Sequence, residues 1–77
     1  MKIKLNYYGK LVEITKKPFE MIDIEEPSVS SIKNHLGKTY LEMLNMTYQI
    51  AENSKILKEK DNILKQELDV FPPFSGG

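Results

Sequence analysis

Apolar and polar residues alternate near the beginning of the sequence. Ile3, Leu5 and Tyr7 are separated by polar residues, so their side chains would lie on one face of an extended strand. Residues 19–24 alternate in the same way, and the isoleucines among them would face the core. The two segments predict a hairpin, with residues 11–17 as a long connection between its strands.

A helix is predicted after the second strand. Ser28 is a good N-cap, because its hydroxyl can accept a hydrogen bond from an exposed amide of the first turn. One apolar stripe follows at spacings of three and four, formed by Val29, Ile32, Leu36, Tyr40 and Met43. Gly37 weakens the helix, and the residues from Thr39 onward fit a capping box. The pattern allows one helix or two, and we favour a break near Gly37.

Three further strands are predicted in the second half of the sequence. Residues 47–51 and residues 55–58 flank a polar turn, and Glu67–Phe71 alternates with Leu and Val facing inward. A polar loop precedes the last strand, and Ile63 and Leu64 are expected to return the chain to the core.

This order of elements predicts an α+β fold. A helix that lies between two hairpins has to cover one face of the sheet. If the last strand pairs parallel to the first, the fold is a β-grasp (ubiquitin-like), a mixed sheet of four to five strands with one main helix on one face. We expect residues 1–71 to form this domain and residues 72–77 to extend from it as a tail.

The composition is typical of a small globular domain and argues against nucleic-acid binding. Hydrophobic residues make up 40% of the chain and charged residues 29%. The 11 basic and 11 acidic residues balance, and none of the basic residues is Arg, which supplies forked contacts to phosphate and guanine. We therefore expect no nucleic-acid partner.

The sequence offers few groups for chemistry. It contains no Cys, which excludes disulfides, thiolate metal sites and a thiol nucleophile, and His35 cannot form a metal site by itself. No segment resembles a signal peptide or approaches the roughly 20 apolar residues of a membrane span. We expect a cytoplasmic protein with no membrane partner, no bound cofactor and no catalytic activity of its own.

The most unusual segment comprises the last seven residues, which are Phe71, Pro72, Pro73, Phe74, Ser75, Gly76 and Gly77. The prolines cannot donate to a β-ladder, so they end the last strand and favour an extended polyproline geometry. The two glycines have no side chains, so this end could enter a channel too narrow for other residues. Its carboxylate would be unhindered for activation. A frayed terminus is the alternative interpretation.

This segment resembles the C-terminus of the MoaD family, the small subunits of molybdopterin synthase among the MoaD/ThiS ubiquitin-like sulfur carriers. Members commonly end in Phe-Pro-Pro, two variable residues and Gly-Gly. Residues 5–15 are similar to the opening strand of the family and the short helical turn after it, and Glu67 also fits. The sequence departs from the family pattern at Val12, at Glu52 and at Lys65.

The resemblance implies a mechanism of sulfur transfer. An adenylating enzyme of the ubiquitin-activating type would use ATP to activate the Gly77 carboxylate, and a sulfur donor would convert it to a thiocarboxylate. The tail would then thread into the large subunit of molybdopterin synthase and give its sulfur to a pterin precursor. The threaded residues would be Phe74, Ser75 and Gly76, and those that set the direction would be Phe71, Pro72 and Pro73.

The sheet face opposite the helix is a second candidate surface. Tyr8, Phe19 and Met21 alternate against the core-facing residues, and apolar residues on an open face suggest a partner surface. Their coverage by the long connection or by a terminal segment is the alternative. Two other functions stay open: a sulfur carrier for thiamine or another metabolite, and a ubiquitin-like protein modifier or binding module.

Overall fold

The structure is a computed structural model that describes residues 1–72. Its elements are β1 (Lys2–Tyr7), α1 (Lys10–Thr15), β2 (Phe19–Asp23), α2 (Val29–Thr39), a 3₁₀ helix (Leu41–Asn45), β3 (Gln49–Glu52), β4 (Lys55–Ile56) and β5 (Glu67–Phe71). The predicted α+β class is confirmed, because these strands form one mixed sheet with α2 as the main helix.

The strand order is β2-β1-β5-β3-β4. β1 and β5 pair in parallel, with Leu5 opposite Leu68 and Tyr7 opposite Val70, whereas the other neighbouring strands are antiparallel. The parallel pairing on which the β-grasp prediction depends is therefore present. It places the ends of β1 and β5 at the same edge of the domain.

The core lies between the sheet and α2. In β1 and β5 the inward residues are almost completely buried and the residues between them are not, as the period of two predicts. The core cluster consists of Ile3, Leu5, Tyr7, Leu11, Ile22, Ile24, Val29, Ile32, Leu36, Met43, Tyr48, Ile50, Ile63, Leu68 and Val70.

The connection predicted for residues 11–17 contains a short helix, as the resemblance over residues 5–15 implied and the local pattern did not. Leu11 of α1 is fully buried, and the Thr15 hydroxyl donates to the Leu11 carbonyl at 2.9 Å. Lys16 ends the helix in the left-handed region, with φ of 61°. Six residues are too few to show a helical period, so packing of Leu11 and not local pattern determines this element.

The helical region is divided in two, as predicted near Gly37, but the division lies at Tyr40 and not at the glycine. α2 continues through Gly37 and ends at Thr39, whose hydroxyl donates to the His35 carbonyl at 2.9 Å and caps no following helix. Gly37 is buried, and a Cβ there would lie 2.6 Å from Cδ2 of Leu44. The glycine therefore marks the close approach of the 3₁₀ helix to α2. The N-cap prediction is confirmed, since Ser28 accepts from the Ser31 amide.

The last three strands lie where they were predicted, and two of them, β3 and β4, are shorter than predicted. β3 begins at Gln49 and β4 contains only two residues, whereas β5 has the predicted bounds. The turn between β3 and β4 holds Asn53 and Ser54 at φ of 55° and 69°, as a tight hairpin turn requires. No helix within residues 1–72 is long and apolar enough to cross a membrane.

Only one of the two residues expected to return the loop to the core does so. Ile63 is 3% exposed, but Leu64 is 83% exposed, so the prediction for Leu64 is wrong. The Ile63 amide donates to the Pro27 carbonyl, and the Leu64 amide donates to the Glu52 carboxylate. These contacts hold the backbone in an orientation that turns consecutive side chains to opposite sides.

Candidate functional site

The candidate site lies where β5 ends beside the end of β1. Because the two strands are parallel, Phe71 and Pro72 emerge next to Tyr8 and Gly9. The Tyr8 amide donates to the Val70 carbonyl at 3.2 Å, which continues the pairing one residue beyond β1. We call these four residues, Tyr8, Gly9, Phe71 and Pro72, the tail root.

An aromatic stack forms the open side of the tail root. The rings of Tyr8 and Phe71 are 4.9 Å apart between centroids and inclined by 14°. The Tyr8 hydroxyl donates to Oδ1 of Asp69 at 3.1 Å, which fixes the ring over the sheet. Tyr8 is still 43% exposed, so a partner that approached Phe71 from the open face would touch this ring.

A glycine forms the other side of the tail root. Gly9 adopts φ of 58° and ψ of −133°, a conformation that residues with a side chain avoid. A Cβ at Gly9 would lie 3.2 Å from Cγ of Pro72. The absence of a side chain therefore lets the proline ring lie close to the backbone, and the contact helps to set the direction in which the chain leaves β5.

The sheet surface beside the tail root carries negative charge. The Asn6 side-chain amide donates to Glu67 at 2.8 Å and to Asp69 at 3.2 Å, so it holds the two carboxylates together on the open face. Partial desolvation, the hydrogen bond to Asp69 and the charges of both carboxylates raise the pKa of Tyr8. Tyr8 is therefore a neutral hydrogen-bond donor at physiological pH.

A tyrosine–carboxylate cluster lies on the helix side of the same end of the sheet. Glu20 of β2 accepts from the Tyr7 hydroxyl at 2.5 Å and from the Tyr40 hydroxyl at 2.6 Å, and the Lys17 ammonium lies 3.4 Å away. Burial acts to raise the pKa of Glu20, but the hydrogen bonds from Tyr40 and Tyr7, together with Lys17, hold it below its usual value.

The pKa values of the two tyrosines are raised, whereas that of Glu20 is lowered. Burial and the hydrogen bond to Glu20 raise the pKa of Tyr40 to about 12 and raise the pKa of Tyr7 still further. Tyr7 and Tyr40 therefore stay protonated as hydrogen-bond donors, and Glu20 stays ionised as their acceptor. The cluster joins β1, β2 and the end of α2, and it acts as a structural clamp beneath the tail root.

Three predicted site residues are brought together in the structure. Tyr8, Phe71 and Pro72 belong to the tail root, although the sequence analysis placed Tyr8 on a separate surface. Five predicted site residues lie outside the described residues: Pro73, Phe74, Ser75, Gly76 and Gly77. Their assignment as the threaded and sulfur-bearing segment stays a prediction.

Sequence reasoning missed Gly9 and Asp69. Nothing in the local sequence singles out Gly9, because its contact with Pro72 depends on the pairing of β1 with a strand 63 residues further along the chain. Asp69 alternates with Leu68 and Val70, so its position on the open face could have been predicted, but its bond to Tyr8 could not.

The remaining apolar residues of the open face are exposed as predicted. Phe19 is 49% exposed and Met21 is 57% exposed, and the Lys4 ammonium lies 4.6 Å from the centre of the Phe19 ring. Both side chains stay about half exposed within residues 1–72, so the connection after β1 does not cover them. Their use by a partner stays a prediction. No group of three or more His, Cys, Asp or Glu residues within residues 1–72 could hold a metal ion.

The fold is shared with solved structures of small ubiquitin-like proteins. A Pyrococcus furiosus protein, described as a candidate molybdopterin converting factor subunit 1, matches with a TM-score of 0.85 and 17% identity over 96% of this chain and 99% of its own. SAMP1 from Haloferax volcanii matches with a TM-score of 0.78 and 18% identity over 100% of both chains. A structure of H. volcanii small archaeal modifier protein 1 matches with a TM-score of 0.77 and 15% identity, over 95% of this chain and 98% of its own.

Neither a family model nor a curated protein matches the sequence. The structural likeness confirms the MoaD/ThiS-like, ubiquitin-like fold predicted above. Because the identities are below 20%, this likeness shows the fold alone.

Proposed function

We propose that this chain is a sulfur carrier that holds sulfur as a C-terminal thiocarboxylate on Gly77, as the small subunit of a molybdopterin synthase. The observation that carries the proposal is the tail root. Phe71 and Pro72 leave the sheet in a direction set by the Tyr8 ring and the Gly9 backbone, and the sequence beyond them ends in two glycines.

The proposed chemistry takes place on partner enzymes. An adenylating enzyme of the ubiquitin-activating type uses ATP to form an acyl-adenylate at the Gly77 carboxylate, and a sulfur donor then displaces AMP. The large synthase subunit takes the thiocarboxylate and passes the sulfur to a pterin precursor. ATP belongs to the activating partner, and this chain contributes no catalytic group.

The tail root gives this chain two roles in such a reaction. Its glycine holds the Pro72 ring against the backbone, so the point at which the chain leaves the sheet needs no ordering when a partner binds. Its stacked rings offer an exposed aromatic surface, and aromatic residues are enriched in protein interfaces. The neighbouring carboxylates of Glu67 and Asp69 would favour a partner with basic residues around the channel mouth.

A second candidate function is a ubiquitin-like protein modifier, in which Gly77 is joined to a substrate lysine. The observation that favours it is the match, over nearly the whole chain, to two structures of small archaeal modifier protein 1. A carrier for thiamine or another sulfur metabolite uses the same activated end. Phe71, Pro72 and Pro73 argue against the thiamine branch, which usually lacks this sequence.

Intact-mass spectrometry tests the carrier proposal. The full chain is incubated with ATP, an activating enzyme and a sulfur donor, and replacement of one oxygen by sulfur adds about 16 Da. A variant with one Ala added after Gly77 should show no gain, whereas a Lys60→Ala variant, changed in an exposed loop, should gain as the wild type does. Equal gain in the extended variant would overturn the proposal. The mass of the protein from its native source checks that Gly77 carries the free carboxylate.

A second measurement separates the carrier from the modifier. The thiocarboxylated chain is mixed with a synthase large subunit and a pterin precursor, and loss of the sulfur mass together with a sulfurated pterin supports the carrier. Isopeptide-linked Gly77 remnants on lysines, found by peptide mass spectrometry of cells that express the chain, support the modifier. Remnants without sulfur delivery would overturn the synthase assignment.

A further inference from the structure

One long edge of the sheet is open. β2 lies at the end of the strand order and spans Phe19–Asp23, whereas β4, at the other end, spans only Lys55–Ile56. Among residues 1–72 no strand lies beyond β2. Natural proteins protect such edges with charged side chains, especially Lys, or with Pro. β2 contains neither Lys nor Pro, and of its two carboxylates Glu20 is bound to Tyr7 and Tyr40 on the helix side, so that only Asp23, the last residue of the strand, is exposed.

The hydrogen-bond pattern shows which residues of β2 face this open edge. The Pro18 carbonyl accepts from Tyr7, and the Ile24 amide donates to Met1, so these even-numbered positions point their backbone groups at β1. In an antiparallel pair the direction alternates from residue to residue. The amides and carbonyls of Phe19, Met21 and Asp23 therefore point away from β1, toward the open edge.

The charges around β2 are arranged with opposite signs at its two ends. Lys16 and Lys17 precede the strand, and Glu25 and Glu26 follow it. All four side chains are exposed. Measured from Met21, the central residue of β2, the lysines and the glutamates stand at equal distances along the chain.

From this arrangement we propose that β2 pairs with β2 of a second copy of this chain, antiparallel, with the two-fold axis at Met21. In that register Phe19 faces the partner's Asp23 and each Met21 faces the other. Each of these facing pairs can exchange two backbone hydrogen bonds, because their amides and carbonyls already point outward. The lysine end of each copy then meets the glutamate end of the other.

The side chains support the same pairing. Phe19 and Met21 are about half exposed on the open face, and the two-fold axis brings both pairs into one apolar strip across the joined strands. A two-fold contact of this kind closes on itself, and the second edge, β4, is too short to extend the sheet further. The product is a dimer and not a fibre.

The dimer leaves both tail roots accessible. Antiparallel pairing of β2 makes the two copies of β5 run in opposite directions, so the Phe71 ends leave the joined sheet at opposite sides. The inference therefore does not depend on the proposed carrier function. It adds a self-association surface that competes with no contact of Tyr8 or Phe71.

Sedimentation velocity over a concentration series tests the pairing with the full chain. A single strand pair is a small interface, so a dissociation constant of about 10 μM to 1 mM is expected. Met21→Pro should abolish the dimer, because it removes an outward amide without removing a bond to β1. Met21→Ile, which keeps that amide, should retain it, and amide NMR spectra confirm that both variants are folded. A wild-type chain that is monomeric at 1 mM would overturn the inference.

Charge reversal tests the register. Changing Lys16 and Lys17 to Glu should weaken the dimer by about tenfold or more, since like charges then face each other at both ends. Changing Glu25 and Glu26 to Lys as well should restore the affinity to within about threefold of wild type. The Lys17–Glu20 ion pair is lost in both variants, so it cannot explain the recovery. Failure of the fourfold variant to recover would overturn the proposed register.

Discussion

The start and the end of β5 are held in place by different means. At the start, Oε2 of Glu52 accepts hydrogen bonds from the Leu64 amide at 2.8 Å and from the Lys65 amide at 2.7 Å, and Glu52 is only 9% exposed. At the end, an exposed ring stack and a proline packed on a glycine hold Phe71 and Pro72.

The contacts at the start of β5 stabilise the fold, whereas those at its end leave a surface that a partner can bind. A buried carboxylate that satisfies two loop amides contributes to folding and presents little surface to a partner. A half-exposed aromatic stack contributes less to folding, but its surface can be covered by another protein without breaking a backbone hydrogen bond. We therefore expect changes at the start of β5 to lower the free energy of unfolding, and changes at its end to affect partner binding more than stability.

The largest loss of stability is expected from Glu52→Ala. The two loop amides lose their shared acceptor, which should lower the free energy of unfolding by about 2–3 kcal/mol. Urea unfolding followed by circular dichroism measures the change. Glu52→Gln is the matched control and should lose less, because its amide oxygen can still accept. A loss below about 0.5 kcal/mol for the alanine variant would show that the carboxylate does not anchor the start of β5.

A smaller loss is expected from Gly9→Ala. The positive φ is unfavourable for alanine, and its Cβ would lie 3.2 Å from Pro72, so we expect a loss of about 1–2 kcal/mol and a displaced proline ring. Amide NMR shifts around Phe71 report the displacement. A synthetic chain with D-alanine at this position, which tolerates a positive φ, should recover most of the stability. Equal destabilisation by both alanines would contradict the conformational explanation.

The sequence predicts the faces of the strands better than it predicts how their ends are held. Leu68 and Val70 alternate with polar residues, and burial of one sheet face is enough to orient them. The anchor at Glu52 depends on a loop that folds back to it, and nothing within its own strand distinguishes it from a solvated glutamate. Such contacts are determined by tertiary packing.

The candidate site shows the same limit. Phe71 and Pro72 were predicted from their own motif, and Tyr8 from the alternation of β1, but their contact requires the parallel pairing of two strands at opposite ends of the sequence. The glycine at position 37 was misinterpreted for the same reason. A local propensity indicated a break, whereas the packing of Leu44 requires the absence of a side chain there.

The cluster beneath the tail root should make stability depend on pH. A lowered pKa of Glu20 contributes stability that is present above the pKa of this carboxyl in the unfolded chain and is lost as the pH falls through its lower folded pKa. A raised pKa of Tyr40 contributes stability that is present below about pH 10 and is lost as the pH rises toward about 12.

Tyr40→Phe tests this dependence. We expect it to cost about 1 kcal/mol at pH 7 and to reduce the loss of stability on both the acid and the alkaline side. Urea unfolding between pH 3 and pH 11 measures both slopes. Tyr48→Phe is the control, because burial alone raises the pKa of Tyr48 to about 12 and Tyr48 makes no contribution to the pKa of Glu20. Its acid slope should equal that of the wild type, and an unchanged acid slope in Tyr40→Phe would contradict the clamp.

The smallest effect on stability and the largest on partner binding are expected from Tyr8→Ala. Loss of the exposed stack should cost about 0.5–1 kcal/mol in unfolding, since Tyr8 is 43% exposed and Phe71 keeps its place in β5. Under the proposed carrier function, transfer of sulfur to the large subunit should fall by about tenfold or more, because an aromatic surface beside the tail is lost.

Tyr8→Phe separates the ring from its hydroxyl. It keeps the stack on Phe71 and removes only the bond to Asp69, so it should transfer sulfur at close to the wild-type rate. Single-turnover transfer followed by intact mass measures both variants. If Tyr8→Ala transferred sulfur normally but was strongly destabilised, the end of β5 would serve stability as its start does, and the contrast between the two ends would not hold.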